Sequence, residues 1–152
     1  MPAASGEAPC FVAFSGNPSA TAARYAPLTG SVGATESTES NVAQLCPVDL
    51  AATKLQFALA VAPGSGKSRA ATLRRNGADT ALTTTIADAA TANNAAAAVA
   101  LSAGDSLDMA TVPSGSPAAA SGCAISCVLA IADTPASARQ LRSMGIGLGL
   151  AQ

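Results

Sequence analysis

The dipeptide Asn76-Gly77 stands between two runs of strand-forming residues, 68–75 before it and 80–86 after it. A two-residue hairpin turn needs positive φ at both central positions, and Asn followed by Gly meets that need at the least steric cost. The return run, TALTTTI, is rich in β-branched side chains, which suit a pleated surface. The rest of the chain repeats this design. Residues 10–15 (CFVAFS) are an apolar run stopped by Gly16-Asn17-Pro18, and residues 21–28 are a second strand candidate ending at Thr29-Gly30. Residues 31–40 (SVGATESTES) read as a loop. In residues 44–50, Pro47 argues for an edge or a bend. Residues 54–62 (KLQFALAVA) place Leu55, Phe57, Leu59 and Val61 on one face with period two.

Downstream, 95–101, 106–112 and 122–132 are further strand candidates. They are separated by Ser102-Ala103-Gly104-Asp105 and by Pro113-Ser114-Gly115-Ser116-Pro117. Strands at intervals of about ten residues with Gly, Pro and Asn turns predict an all-β chain, an antiparallel β-sandwich of jelly-roll-like plan. The competing reading is helix. Alanine fills about a quarter of the chain and is the best helix former, so 87–100 can also be drawn as helical. Asn93-Asn94 interrupts that drawing, and the flanking Thr runs favour strands. The length, 152 residues, suits one domain. The expected division is an N-terminal arm at 1–9, the sandwich at 10–135 and a C-terminal arm at 136–152.

Composition narrows the function. Charged residues make up 11% of the chain, against roughly a quarter in an ordinary soluble domain. A net charge of -1 with scattered basic residues offers no footprint for nucleic acid. Without histidine there is no His-based triad and no imidazole metal site. No apolar run approaches the roughly 18 residues of a membrane helix, and the start lacks the basic and apolar segments of a signal peptide. Cys10, Cys46, Cys123 and Cys127 do not have the paired C-x-x-C spacing of a zinc site. In a strand, Cys123 and Cys127 lie on one face about 13 Å apart, too far to bridge each other. The four read as small buried hydrophobes, with a Cys10–Cys46 bond as the alternative.

Three motifs bear on chemistry. Residues 61–68 (VAPGSGKS) follow a strand and resemble the phosphate-binding loop G-x-x-x-x-G-K-[ST], with Lys67 as the phosphate-reaching lysine. Val61 replaces the first glycine, and Asn76-Gly77 ends any helix that begins at Lys67 after about ten residues, so the expectation is a strand-connecting loop. Asp105 and Asp108 are a candidate carboxylate pair, but Asp105 follows Gly104 in a turn, where Asp commonly caps backbone amides. Asp79, just after the hairpin, has the same reading. Arg69, Arg74 and Arg75 read as a solvated strand face. No serine lies in G-x-S-x-G. The expectation is a protein that is not an enzyme and has no cofactor or metal.

From Ala58 to Ala120, a strand is followed by APGSGKS, then RRNG-x-DTALT, VALSAGDSLDM and VPSGSPAA. This succession resembles a β-sandwich module of tailed-phage structural proteins and is similar in plan to trimeric jelly rolls of the complement-globular type. It covers roughly 40% of the chain. The resemblance implies a capsid decoration (cement) protein: a homotrimer on the virion's capsid surface, made in the host cytoplasm, that binds the major capsid protein. The arms would order on that partner, with Ile146, Leu148 and Leu150 alternating toward one surface. The alternative is a receptor- or carbohydrate-binding module of a phage fibre or tail. Sugar sites favour exposed aromatics, and Tyr25 is the one candidate.

Overall fold

The computed structural model describes residues 7–14, 18–32, 36–119 and 122–131. The expected arm residues 136–152, Ile146, Leu148 and Leu150 among them, lie outside the described residues. Strand is the dominant structure of the described residues, with one 3₁₀ turn (Glu39–Asn41) and no α-helix among them. One sheet contains β1 (Glu7–Phe14), β3 (Gly30–Val32), β5 (Leu50–Leu59), β8 (Ala92–Leu101) and β10 (Cys123–Ile131), in the order β3-β1-β10-β5-β8. The other contains β2 (Arg24–Ala26), β6 (Gly64–Arg75), β7 (Ala78–Asp88) and β9 (Ser106–Ser114), in the order β2-β9-β6-β7. The short β4 (Gln44–Leu45) also pairs with β9. All pairings are antiparallel except β1 with β3, and the two sheets pack as an all-β sandwich.

The hairpin forms as its residues require. Asn76 and Gly77 have φ of 53° and 77°, and Arg75 pairs with Ala78 across the turn. The Asn76 side chain also bonds outward. Its Oδ1 accepts from the Ser106 amide at 2.8 Å and its Nδ2 donates to Asp105 at 2.7 Å, tying this turn to the one that leads into β9.

Several boundaries moved. β1 begins at Glu7, whose register partner is Ala130 of β10. The candidate strand 21–28 contracts to Arg24–Ala26. The expected loop 31–40 begins inside β3, whose Gly30–Val32 lie parallel to Val12–Phe14, and Glu36 makes a bridge with Tyr25. Such pairings are long-range and leave no periodic trace in a three-residue segment. The alanine-rich run is a strand, with Ala92–Leu101 hydrogen-bonded to β5, because ladder bonds and core burial override helix propensity.

The core lies between the sheets. Leu55, Phe57, Leu59, Ile125 and Leu129 of the first sheet meet Leu73, Leu82, Ile86, Leu107 and Met109 of the second. Each such side chain contributes about 1.5–3 kcal/mol on burial. In β5 the register shifts around Thr53 on both sides. The inward positions therefore change from Leu50 and Ala52 to Leu55, Phe57 and Leu59, as an inserted residue resets a period of two. β5 ends at Leu59, so Val61 leaves the expected inward row and is 41% exposed.

β9 departs most from its sequence. Leu107, Asp108, Met109, Ala110 and Thr111 are all buried, so both faces of this strand are covered. The first sheet covers the inner face. The segment carrying β2, the 3₁₀ turn and β4 flanks the outer side, held by strand pairs at Arg24–Ala26 and Gln44–Leu45.

Candidate functional site

The phosphate-loop look-alike is structural. Gly64 to Arg75 is strand throughout, so no helix begins at Lys67. The Gly66 amide, which would face a phosphate in such a loop, donates instead to the Asp88 carboxylate at 2.7 Å. Gly64 and Gly66 have φ of 97° and 71°, an irregular entry into β6 that only glycine adopts without strain.

The arginines do not form the solvated face expected of them. Arg69 points into the sandwich and is 1% exposed. Its Nη1 donates to the Ser19 carbonyl at 2.5 Å and its Nη2 to the Ala118 carbonyl at 3.0 Å, while Nε has no partner. It staples two surface segments to the core from within, and burial lowers its pKa. Only Arg75 is exposed, with its guanidinium bonded to the Ala100 carbonyl at 2.6 Å. Alternation alone cannot tell which face of a strand is covered by a distant segment, so these burials were not legible in the sequence.

Arg74 organises a charged cluster on the outer face of the second sheet. Its Nε donates to Glu39 Oε1 at 2.8 Å and its Nη2 to Glu39 Oε2 at 3.2 Å, a bidentate pair. It also pairs with Asp79 and donates to the Gly77 carbonyl. The Tyr25 ring lies 5.6 Å from the guanidinium carbon, a cation–π contact. Across β6–β9, Arg74 faces Asp108, which is 1% exposed with Oδ2 unpartnered. Burial first, and then the neighbouring Glu39 carboxyl, push Asp108 up to about 7. The bonds from Arg74 hold Glu39 below the usual carboxylate range.

Asp105 behaves as expected for a turn cap. Its Oδ2 accepts from the Ser102 amide at 2.8 Å, and this bond, helped by Asn76, lowers its pKa. Asp105 and Asp108 therefore do separate work, and the acid that Asp108 meets is Glu39, 69 positions earlier in the chain by numbering. No local spacing signals that pair.

Cys46 is a buried free thiol whose Sγ donates to the Val48 carbonyl at 3.0 Å, so the alternative Cys10–Cys46 bond is not formed. Register instead places Cys10 opposite Cys127. Cys123 and Cys127 are both inward-facing, and burial pushes the Cys123 thiol up to about 12, far from a reactive thiolate.

The outer face of the first sheet is a candidate surface. A groove of about 710 Å³ crosses it, lined by Gln56, Ala58, Asn94, Ala124 and Ser126 among others. Register places Lys54, Gln56 and Ala58 beside Ala96, Asn94 and Ala92 on one side, and beside Val128, Ser126 and Ala124 on the other. Lys54 is the one charged side chain in that array. Tyr25 is not there, because it lies on the other sheet over Arg74. Phe57, although it borders the groove, is 1% exposed and belongs to the core.

Among the described residues, no group of three or more His, Cys, Asp or Glu side chains could hold a metal ion, and no helix is long and apolar enough to cross a membrane. No protein-family model matches the chain, and comparison with curated proteins yields no match.

Proposed function

We propose that this chain is a capsid decoration protein of a tailed phage, a non-enzymatic virion component that binds and stabilises the shell of major capsid protein. The observation that supports this reading is the outer face of the first sheet. Across β5, β8 and β10 the described outward side chains form ladders of Ala, Ser, Asn and Gln with Val128, and Lys54 is the one charge in those ladders, a surface suited to lying against another protein. Small side chains lose little rotamer entropy on association, and uncharged ones cost little to desolvate. The inward burial of reactive groups, Cys123 above all, suits a scaffold more than a catalyst. In this proposal the protein is a homotrimer, and residues 136–152 act as an arm whose Ile146, Leu148 and Leu150 contact a neighbouring subunit or capsid protein.

The groove favours a second reading, a receptor- or carbohydrate-binding module of a fibre or tail, because Gln56, Asn94 and Ser126 offer hydrogen bonds to hydroxyl groups. The placement of Tyr25 over Arg74 counts against it, since no exposed aromatic among the described side chains lines the groove. Copy number in purified virions separates the two readings. Hundreds of copies per particle are expected for decoration, and tens or fewer would replace it with the fibre reading. Removing 136–152 should leave the sandwich folded and weaken trimer formation or particle attachment. A truncated chain that failed to fold as a monomer would assign the segment to the core and sink the arm.

A further inference from the structure

On one side of the sandwich the sheets end in β8 and β7, the outermost strands of the first and second sheet. Side chains tie these two edges together at both ends. Asn93 Nδ2 donates across to the Thr85 carbonyl of β7 at 2.7 Å, and Arg75 Nη1 donates to the Ala100 carbonyl of β8 at 2.6 Å. Between those ties the edge of β8 is open. A cleft of about 310 Å³, lined by Thr80, Ala81, Ala98 and Ala100 among others, lies between the two edges. Ala95 and Ala97 point inward in step with Val99 and Leu101, yet they are only partly buried, because no described strand flanks them on that side.

Backbone groups along a strand point alternately to either side. The Thr91 carbonyl, just before β8, accepts from the Leu59 amide of β5 at 2.8 Å, whereas the Ala100 carbonyl faces away from β5 toward Arg75. Alternation between these two fixed points turns the N–H and C=O of Asn94, Ala96 and Ala98 off the sheet. Natural proteins guard such an edge with charged side chains or proline, because its open backbone groups invite another strand. β8 has neither charge nor proline. The other edge strands are short, as β2 and β3 are, or carry acids near both ends, as β7 does with Asp79 and Asp88.

We propose that β8 is a self-pairing edge: residues 94–98 of two copies of this chain add to one another antiparallel across a two-fold axis, joining two five-stranded sheets into one. A second copy fits because an antiparallel two-fold sets the same row of backbone groups against itself, donor to acceptor. Asn94, Ala96 and Ala98 stand on the outer face and are small or uncharged, so the copies meet without steric or like-charge cost. Charge at the ends selects the antiparallel sense. Arg75 sits at the Ala100 end, and Asp88 sits at the end where the chain enters β8; both are exposed. Reversal brings Arg75 of one copy toward Asp88 of the other, whereas a parallel pair would set like charges together. Asp79, the acid at the Arg75 end, is already paired with Arg74. This inference does not rest on the capsid reading, and a trimer held elsewhere on the molecule would leave the 94–98 amides exposed.

The test is backbone hydrogen exchange on the full 152-residue chain at about 1 mM, where association is favoured by mass action. The Asn94, Ala96 and Ala98 amides should exchange at least about tenfold more slowly than their intrinsic rates. Ala98→Lys places a blocking charge on the edge and should abolish that protection while the Leu55 amide of β5 keeps its own. Should that variant fail to fold, Ala96→Pro takes its place, since it deletes an N–H on the free edge and none of the β5 ladder. In a mixture of isotope-labelled and unlabelled chain, intermolecular NOEs between residues 94–98 of two copies should identify the occupant. Exchange of these amides at intrinsic rates, protection that persists in the folded variant, or NOEs from 94–98 to residues 136–152 in place of β8 would overturn the proposal.

Discussion

The two sheets present the same kind of face to the core and opposite kinds to the outside. Over β5, β8 and β10 the outer face of the first sheet carries mostly small, uncharged side chains among those described, with Lys54 the one charge in these ladders. The outer face of the second carries Arg74, Asp108 and Asp79 beneath a strap that brings Glu39 and Tyr25 against them. A strand with one face solvated alternates buried and exposed residues, as β7 and the later part of β5 do. β9 does not, because five consecutive residues are buried. On the first sheet's outside, the side chains of Lys54, Gln56, Asn94 and Ser126 point away from the core. On the second sheet's outside the polar residues are structural, since Arg74 bonds to both Glu39 and Asp79.

The largest effect that would sharpen this contrast is Arg74→Ala. It removes the cation shared by Glu39 and Asp79 and leaves Asp108 facing Glu39 uncompensated. A loss of about 2–4 kcal/mol is expected in urea unfolding at neutral pH, somewhat below the roughly 3–5 kcal/mol for removing one partner of a fully buried ion pair because this cluster is partly exposed. A loss below about 0.5 kcal/mol would reduce the cluster to an ordinary surface pair.

Next comes the pH profile. Asp108, pushed up to about 7, holds its proton more tightly folded than unfolded. The folded state therefore binds the extra proton between about pH 4 and about 7, and stability falls as the pH rises through that window. Glu39, held low, works the other way. Its contribution is present above its ordinary value and is lost as the pH falls through its lowered one. The optimum should be mildly acidic. Asp108→Asn should flatten the alkaline side and raise stability at about pH 8.5 by about 1–2 kcal/mol, the scale of one buried unsatisfied polar group. An unchanged profile in thermal melts across pH would count against a buried acid.

Gly77→Ala tests the turn that joins β6 and β7. At φ 77° a Cβ meets no neighbour, so the cost is backbone strain alone, about 1 kcal/mol. A neutral result would mean the turn relaxes without disturbing the Asn76 bonds to Asp105 and Ser106. The smallest effect is expected for Lys54→Ala on the first sheet, within about 0.5 kcal/mol. A larger loss from this exposed residue would break the comparison, because that outer face would then hold interactions of its own.

The hairpin at Asn76-Gly77 and the inward row Leu55, Phe57, Leu59 were readable because each rests on residues adjacent or two apart. So was the capping role of Asp105, set by the turn it occupies. Val61 was misassigned because where a strand ends depends on its partners, here β8 and β10, and not on its own alternation. The bulge at Thr53 was likewise silent, since an inserted residue looks like any other until its neighbours are paired. The outer groove was half legible. The Ala and Asn runs were plain, but which of them share a face required the register.

Residue types in local order settled the class of this fold, the strand-and-turn rhythm and the near-absence of surface charge, since steric preference and short-range periodicity act within a few positions of the chain. The meeting of Glu39, Arg74 and Asp108, the burial of Arg69 and the double covering of β9 were decided by tertiary structure alone. Burial and Coulomb energy depend on distances in space, and the segments that set those distances are brought together only when the two sheets and their strap assemble.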